Sequence, residues 1–241
     1  EMCIRDRRGI DDTHPGCLAY MNLSDRLSPI AGLAALLAAA APGVAQDLDA
    51  ACEAVASSSV GAWSEHSVQS PNGRFDVRFA LVRDRGATWY EINSQTAVGP
   101  SILQLRVPGF PFTPAEIEEV VLKSGDTPAI RLPDSMVRQY ASAEQAGPLA
   151  DIRSACRGAE VVGRETVSVA AGTFETTHLR FPATGGEVWI SGDVPFGIVR
   201  GDVPGQGTTE LSAHGGGAVS SITETPMTLP GAGGASPGSG P

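Results

Sequence analysis

From Leu27 to Ala41 the chain carries an apolar run of about 15 residues, headed by Arg26 and closed by Pro42-Gly43-Val44-Ala45 before the polar pair Gln46-Asp47. The run falls short of the roughly 20 residues that a membrane-spanning helix needs, and the small residues Gly43 and Ala45 suit cleavage before Gln46. It has neither the cap nor the amphipathic stripe of a core helix. Residues 21–45 therefore read as a secretory signal peptide, which places the remainder in the periplasm or outside the cell. Any fold must then be built after Ala45, from a chain exposed to oxidising conditions.

The stretch before Met21 adds nothing to that fold. Met2–Arg7 read MCIRDR, which resembles the translation of an adapter used to prepare sequencing libraries, and the residues up to Tyr20 are polar, mixed in charge and without apolar periodicity. Residues 1–20 are expected to be non-native or disordered. At the other end, from Pro226, the chain is Pro, Gly, Ala and Ser with no large apolar residue after Leu229. Residues 226–241 read as a disordered tail, leaving 46–225 as a single β-rich domain.

Two cysteines remain after the signal, Cys52 and Cys156. Cys52 lies too far beyond the apolar run for lipidation, and the pair is too widely spaced for a Cys-x-x-Cys redox motif. A structural disulfide is expected, joining an opening helix near Asp47–Ser57 to a second helix near Pro148–Arg157. The chain from Gln46 onward holds 13 Arg and Lys against 22 Asp and Glu, a formal charge of −9. That balance disfavours nucleic acid and anionic lipid surfaces as partners. No later segment is long and apolar enough to cross a bilayer.

Period-two alternation dominates the domain. Phe75, Val77, Phe79 and Leu81 alternate with Asp76, Arg78 and Ala80, Asp84-Arg85-Gly86 reads as a hairpin turn, and strands follow at Thr88–Gln95 and Ser101–Val107. Three prolines force Pro108–Pro114 out of any ladder, as a loop that carries Phe110 and Phe112. Glu116–Leu122 is ambiguous between helix and strand. Ala129–Leu132 is a short strand, and Pro133-Asp134 opens a helix to about Ala143. Strands return at Val161–Val169, Phe174–Phe181, Glu187–Ser191, Gly197–Val203, Thr208–His214 and Ala218–Thr223. This predicts an α+β fold of nine or ten strands: a long curved antiparallel sheet, an incomplete β-barrel, with helices packed on one face.

Catalytic motifs fail on context. His214-Gly215-Gly216-Gly217 matches an oxyanion-loop pattern and Gly234–Gly238 matches G-x-S-x-G, but Ser236 lies in the tail with no acid or histidine after it. His66, His178 and His214 have no metal-ligand spacing, and Glu175 and His178 fall on opposite faces of a strand. No enzyme activity, metal or cofactor is expected.

Residues 163–178 (GRETVSVAAGTFETTH), with Glu187-Val188-Trp189-Ile190-Ser191 and Val194-Pro195-Phe196-Gly197-Ile198-Val199-Arg200, resemble exported bacterial domains whose fold is similar to the LolA/LolB lipoprotein carriers. The motif is fold-forming: Gly172 permits a tight turn, Trp189 anchors a hairpin face, and Pro195 with Gly197 turns the chain. The resemblance implies an incomplete barrel and maps no carrier residue onto this chain. The expected role is a non-enzymatic periplasmic binding or carrier-like domain for a lipid or apolar segment, with Phe110 and Phe112 either as a lid or as a core plug. A structural or assembly protein of the envelope, acting through protein contacts, is the second reading, and a hydrolase the third.

Overall fold

The computed structural model describes residues 48–50, 52, 53, 55, 58–96, 99–142 and 156–228. All the described elements belong to one compact unit of the chain. The expected upstream segment and signal peptide, nearly all of the helix expected at Pro148–Arg157, and the residues after Thr228 lie outside the described residues.

Twelve strands form one sheet: β1 Trp63–Ser70, β2 Gly73–Asp84, β3 Ala87–Thr96, β4 Gly99–Arg106, β5 Glu119–Ser124, β6 Ile130–Arg131, β7 Glu160–Val169, β8 Gly172–Phe181, β9 Gly186–Ile190, β10 Ile198–Val203, β11 Gly207–Gly215 and β12 Met227–Thr228. Their order is β12-β6-β5-β4-β3-β2-β1-β11-β10-β9-β8-β7. Two meanders, β1–β6 and β7–β11, are therefore stitched together where β1 pairs with β11. All pairings are antiparallel except β12 with β6. Short hairpins drive this topology. In the β2–β3 turn Arg85 and Gly86 both take positive φ, 49° and 77°, the turn twist that matches two right-twisted strands. In the second meander the β7–β8 turn reaches across the sheet, where the Ala171 N–H donates to the Leu211 carbonyl of β11 at 3.3 Å.

The expected α+β arrangement is corrected by these elements. The described residues are nearly all β: their helical elements are α1, Asp134–Ser142, and a 3-10 turn at Pro114–Glu116, with further helical residues between 48 and 55 and at 156–157. Helices add little to the cover of the sheet, α1 contributing Val137 to the Tyr90 face, because other segments do most of it. The loop 107–117 and the turn 194–197 lie on the face that carries Tyr90, and an extended C-terminal strap, residues 216–226, lies on the face that carries Trp89. Ala218–Thr223, expected as a strand, belongs to this strap and joins no ladder, while β1 and β12 are strands that the alternation did not announce. Cys52 and Cys156 form a disulfide, which ties the helical residues near Val55 to the start of β7 over Leu179 and Ile190.

Candidate functional site

The Tyr90 face of β2–β5 is built from alternating inward residues: Phe79 and Leu81 on β2, Tyr90 on β3, Leu105 on β4 and Val120 on β5. Three rings are laid on it from outside the sheet. Tyr90 lies 5.7 Å from Phe110, 5.3 Å from Phe112 and 5.6 Å from Phe196 between ring centroids, and Phe110 meets Phe196 edge-on at 4.9 Å. Phe110 and Phe112 are buried, so their loop is inserted into the aromatic core. Phe196 enters from the turn between β9 and β10, in a left-handed conformation (φ 64°) that costs about 1–3 kcal/mol at a non-glycine residue. Its N–H donates to Ser58 Oγ at 2.8 Å. Gly197 is required behind it: φ is 76°, and a Cβ there would sit 2.7 Å from Val55 Cγ2.

Strand register continues this apolar face outward. Phe79 pairs with Ile92, Ile92 with Leu103, Leu103 with Leu122, Leu122 with Ile130, and Ile130 with Met227. Residues directly opposite one another share a face. The result is one unbroken apolar row across β2-β3-β4-β5-β6-β12. It begins at Phe79, 9% exposed under the aromatic cluster, and ends at Leu122 and Met227, 41% and 54% exposed.

Two polar groups interrupt the inner part of this face. His66 Nε2 lies 3.0 Å from Ser64 Oγ, both on β1 and both buried, while His66 Nδ1 has no hydrogen-bond partner among the described residues. The His66 ring meets Phe79 edge-on at 5.6 Å, and on the other side Phe79 stacks against Tyr90 at 6.2 Å. The Tyr90 hydroxyl is likewise buried without a partner among the described residues. Burial pushes the His66 imidazole down to about 4 and the Tyr90 phenol up, so both are neutral near pH 7.

The Trp89 face carries a satisfied network instead. Glu91, fully buried, accepts from Gln104 Nε2 at 2.8 Å, from the Ser221 N–H at 3.0 Å and from Ser221 Oγ at 2.6 Å. Gln104 Nε2 also donates to Ser220 Oγ, and its Oε1 accepts from Arg85. The strap is thereby sewn to the sheet, with Ile222 packed among Ala80, Val82, Trp89 and Val121.

The remaining histidines do no visible chemistry. His178 stacks on Trp189 at 4.3 Å, with Nδ1 3.1 Å from Glu165 and Nε2 3.3 Å from Glu187. Glu175 turns away to accept from Thr166 Oγ1. The Glu187 carboxyl is held below the usual range, first by its hydrogen bond from Arg180. No group of three His, Cys, Asp or Glu side chains suited to a metal exists among the described residues. His214 packs edge-on against Phe174 at 5.6 Å, and Gly215–Gly217 line an open cleft of about 310 Å³ with Ser58 and Asp193. Ser236 lies outside the described residues. No described helix is long and apolar enough to cross a membrane.

The fold-forming motif takes these positions: Gly172 opens β8 at φ 140°, Trp189 lies on β9, and Pro195 and Gly197 flank Phe196. Phe110 and Phe112 stand out in the sequence, and His66 does so only as a histidine without metal-ligand spacing, whereas Tyr90 and the Leu122–Met227 row do not. Tyr90 alternates with Trp89 in a legible strand, but nothing local marks it as the centre of a cluster assembled from three distant segments.

No family model and no curated protein matches the chain. Among solved structures it is similar to a candidate exported protein with a YmcC-like fold from Bacteroides fragilis, at 12% identity and a TM-score of 0.29, over 65% of this chain and 96% of that one. A candidate lipoprotein from Parabacteroides distasonis aligns at 11% identity and TM-score 0.30, over 65% and 96%. A DUF1329 family protein from Desulfovibrio piger aligns at 13% and 0.32, over 66% and 72%. These similarities are too low to transfer a role, so the role rests on the residues of this chain.

Proposed function

We propose that this chain is a non-enzymatic binding domain of the bacterial envelope that holds an acyl chain against the Tyr90 face of its sheet. The apolar row from Phe79 to Met227 carries the reading. Its outer end, Leu122, Ile130 and Met227, is apolar surface that a solvated sheet edge does not need, and it leads without interruption under the aromatic cluster. The covering rings Phe110 and Phe112 stand on a loop rather than on the sheet, so displacing that loop lengthens the groove inward while the twelve-stranded scaffold stays intact. The Cys52–Cys156 disulfide supports an oxidising compartment.

The test is native mass spectrometry of the full chain, secreted to a periplasm and purified without detergent, followed by titration with a fluorescent fatty acyl probe. A lipid-sized passenger, or saturable probe uptake, is the expected result. Protein that arrives empty and takes up no probe overturns the reading. One observation favours the second reading, a structural or assembly role: β7, ten residues long, ends the strand order on one side and pairs with one strand, β8, among the described residues, a position suited to strand addition. Crosslinking in intact cells that yields monomer alone would count against it.

A further inference from the structure

Resting on the acyl-chain reading above, we infer that the cargo carries an uncharged polar group, a long-chain ester, and that the Tyr90 hydroxyl and the Ser64–His66 pair are the subsite that recognises it. Two features of the Tyr90 face lead there.

First, the inner part of the Tyr90 face holds two buried polar atoms, Tyr90 Oη and His66 Nδ1, without partners among the described residues. They belong to rings packed on either side of Phe79. Buried polar groups almost always find partners, because an unmet donor or acceptor forfeits its hydration with nothing in return. Two such atoms on one face, one on each side of Phe79, mark where polar groups from outside the chain would restore a partner to each. The opposite face differs, since Glu91 there meets Gln104 and Ser221, and the buried Arg106, Glu119 and Arg131 atoms there are ion-paired.

Second, the chemistry of the pair selects against charge. The buried polar side chains on the Tyr90 face of β1–β3 are Ser64, His66, Thr88 and Tyr90. All are neutral, and the one buried carboxylate of these strands, Glu91, points to the other face. A carboxylate or phosphate brought in among these rings would lose its hydration against neutral dipoles only. An ester carbonyl accepts one hydrogen bond from the Tyr90 hydroxyl at no such penalty. Ser64 and His66 add adaptability: with Ser64 Oγ donating to Nε2 the imidazole offers a donor at Nδ1, and with Nε2 donating to Ser64 it offers an acceptor. The subsite thus suits an ester whose neighbouring group is a hydroxyl or another carbonyl.

The experiment compares three probes of equal chain length on the full secreted protein: a monoacylglycerol, the free fatty acid and the alkane. Each is titrated against wild type and Tyr90→Phe, which keeps the ring and removes only the hydroxyl. The monoacylglycerol is expected to bind tightest, and Tyr90→Phe to weaken it about three- to tenfold, the worth of one hydrogen bond, without changing alkane affinity. As a second readout, the infrared band of a carbon-13-labelled ester carbonyl is expected at lower frequency in wild type than in Tyr90→Phe. Equal affinity for all three probes, or a Tyr90→Phe variant indistinguishable from wild type in both readouts, overturns the subsite while leaving the acyl-chain groove standing. Failure of every probe to bind overturns the groove and the subsite together.

Discussion

Glu91 on β3 accepts both the main-chain N–H and the hydroxyl of Ser221, at 3.0 and 2.6 Å, across 130 residues of chain. A carboxylate with no exposure of its own thus replaces a strand neighbour: the strap joins no ladder, and while the Ala218 N–H donates to the Gly61 carbonyl, Ser221 is held by a side chain. Removing the carboxylate strands the donors of Gln104 and Ser221 inside the protein. Glu91→Ala is therefore expected to destabilise by about 3–5 kcal/mol, the range for breaking a buried charged network. Denaturant unfolding measures the loss, and hydrogen exchange at the Ser221 and Ile222 amides should accelerate before that of β3. A variant as stable as wild type would mean that the strap is held by Ile222 packing alone.

His66 sets a different dependence on pH. Its folded value of about 4 lies below the ordinary 6.5, so the unfolded chain takes up a proton that the folded chain refuses throughout that interval. Stability therefore falls as pH drops from 6.5 to about 4, by roughly 3 kcal/mol at about 1.4 kcal/mol per pH unit, and levels off below. His66→Phe is expected to flatten the curve across that window. Glu187 and Glu224 act lower down. Their folded values are depressed, chiefly by hydrogen bonds from Arg180 and Lys123, so their contribution is present above the ordinary 4.5 and is lost below it. Unfolding curves collected from pH 7 to 3 separate the two windows, and a wild-type curve flat between 6.5 and 4 would contradict the placement of His66.

The limits of legibility arise from the same residues. The β2–β3 hairpin could be read because Phe75, Val77, Phe79 and Leu81 alternate strictly and Arg85-Gly86 supplies a left-handed turn. β1 could not, because its inward positions hold Ser64 and His66, so a buried strand has no apolar period. Ala218–Thr223 reads as β because it is extended, but pairing with Glu91 instead of with a strand is a tertiary fact absent from local pattern. The helices expected to cover the sheet were an inference from its size, and loops bearing Phe110, Phe112 and Phe196 fill that role. The apolar row was hidden for a further reason: Ile92, Leu103, Leu122 and Ile130 align only once every turn length is fixed.

The Cys52–Cys156 disulfide closes a separation of 104 residues. In the chain-entropy model a loop of that length is worth about 4.7 kcal/mol at most, and native bridges usually deliver about 2–4 kcal/mol. Replacing both cysteines by serine should lower the unfolding free energy by about that amount, and reductant should shift wild type toward the variant. Since the bridge lies over Leu179 and Ile190, not over Tyr90, acyl-probe affinity measured well below the unfolding midpoint should be unchanged. A variant that stayed folded but lost the probe would place the binding surface in the second meander instead.

Leu122 gives the most direct test of the groove, because it is part of the apolar row yet is 41% exposed and owes little of its environment to the core. Leu122→Glu puts a carboxylate between Leu103 and Ile130, where a bound chain would have to strip its water. Surface substitutions of this kind usually leave stability within about 0.5 kcal/mol. A bound acyl chain meets a larger penalty, since burying an unpaired carboxylate costs several kcal/mol, and even partial desolvation should weaken binding by at least about tenfold. Leu122→Ala, which removes apolar contact without adding charge, should weaken it by a smaller factor. Fluorescent acyl-probe titration of both variants against wild type reads the ordering. If glutamate at this position bound the probe as wild type does, the outer row would not be the path of the chain, and the exposed Leu122 and Met227 would need another occupant.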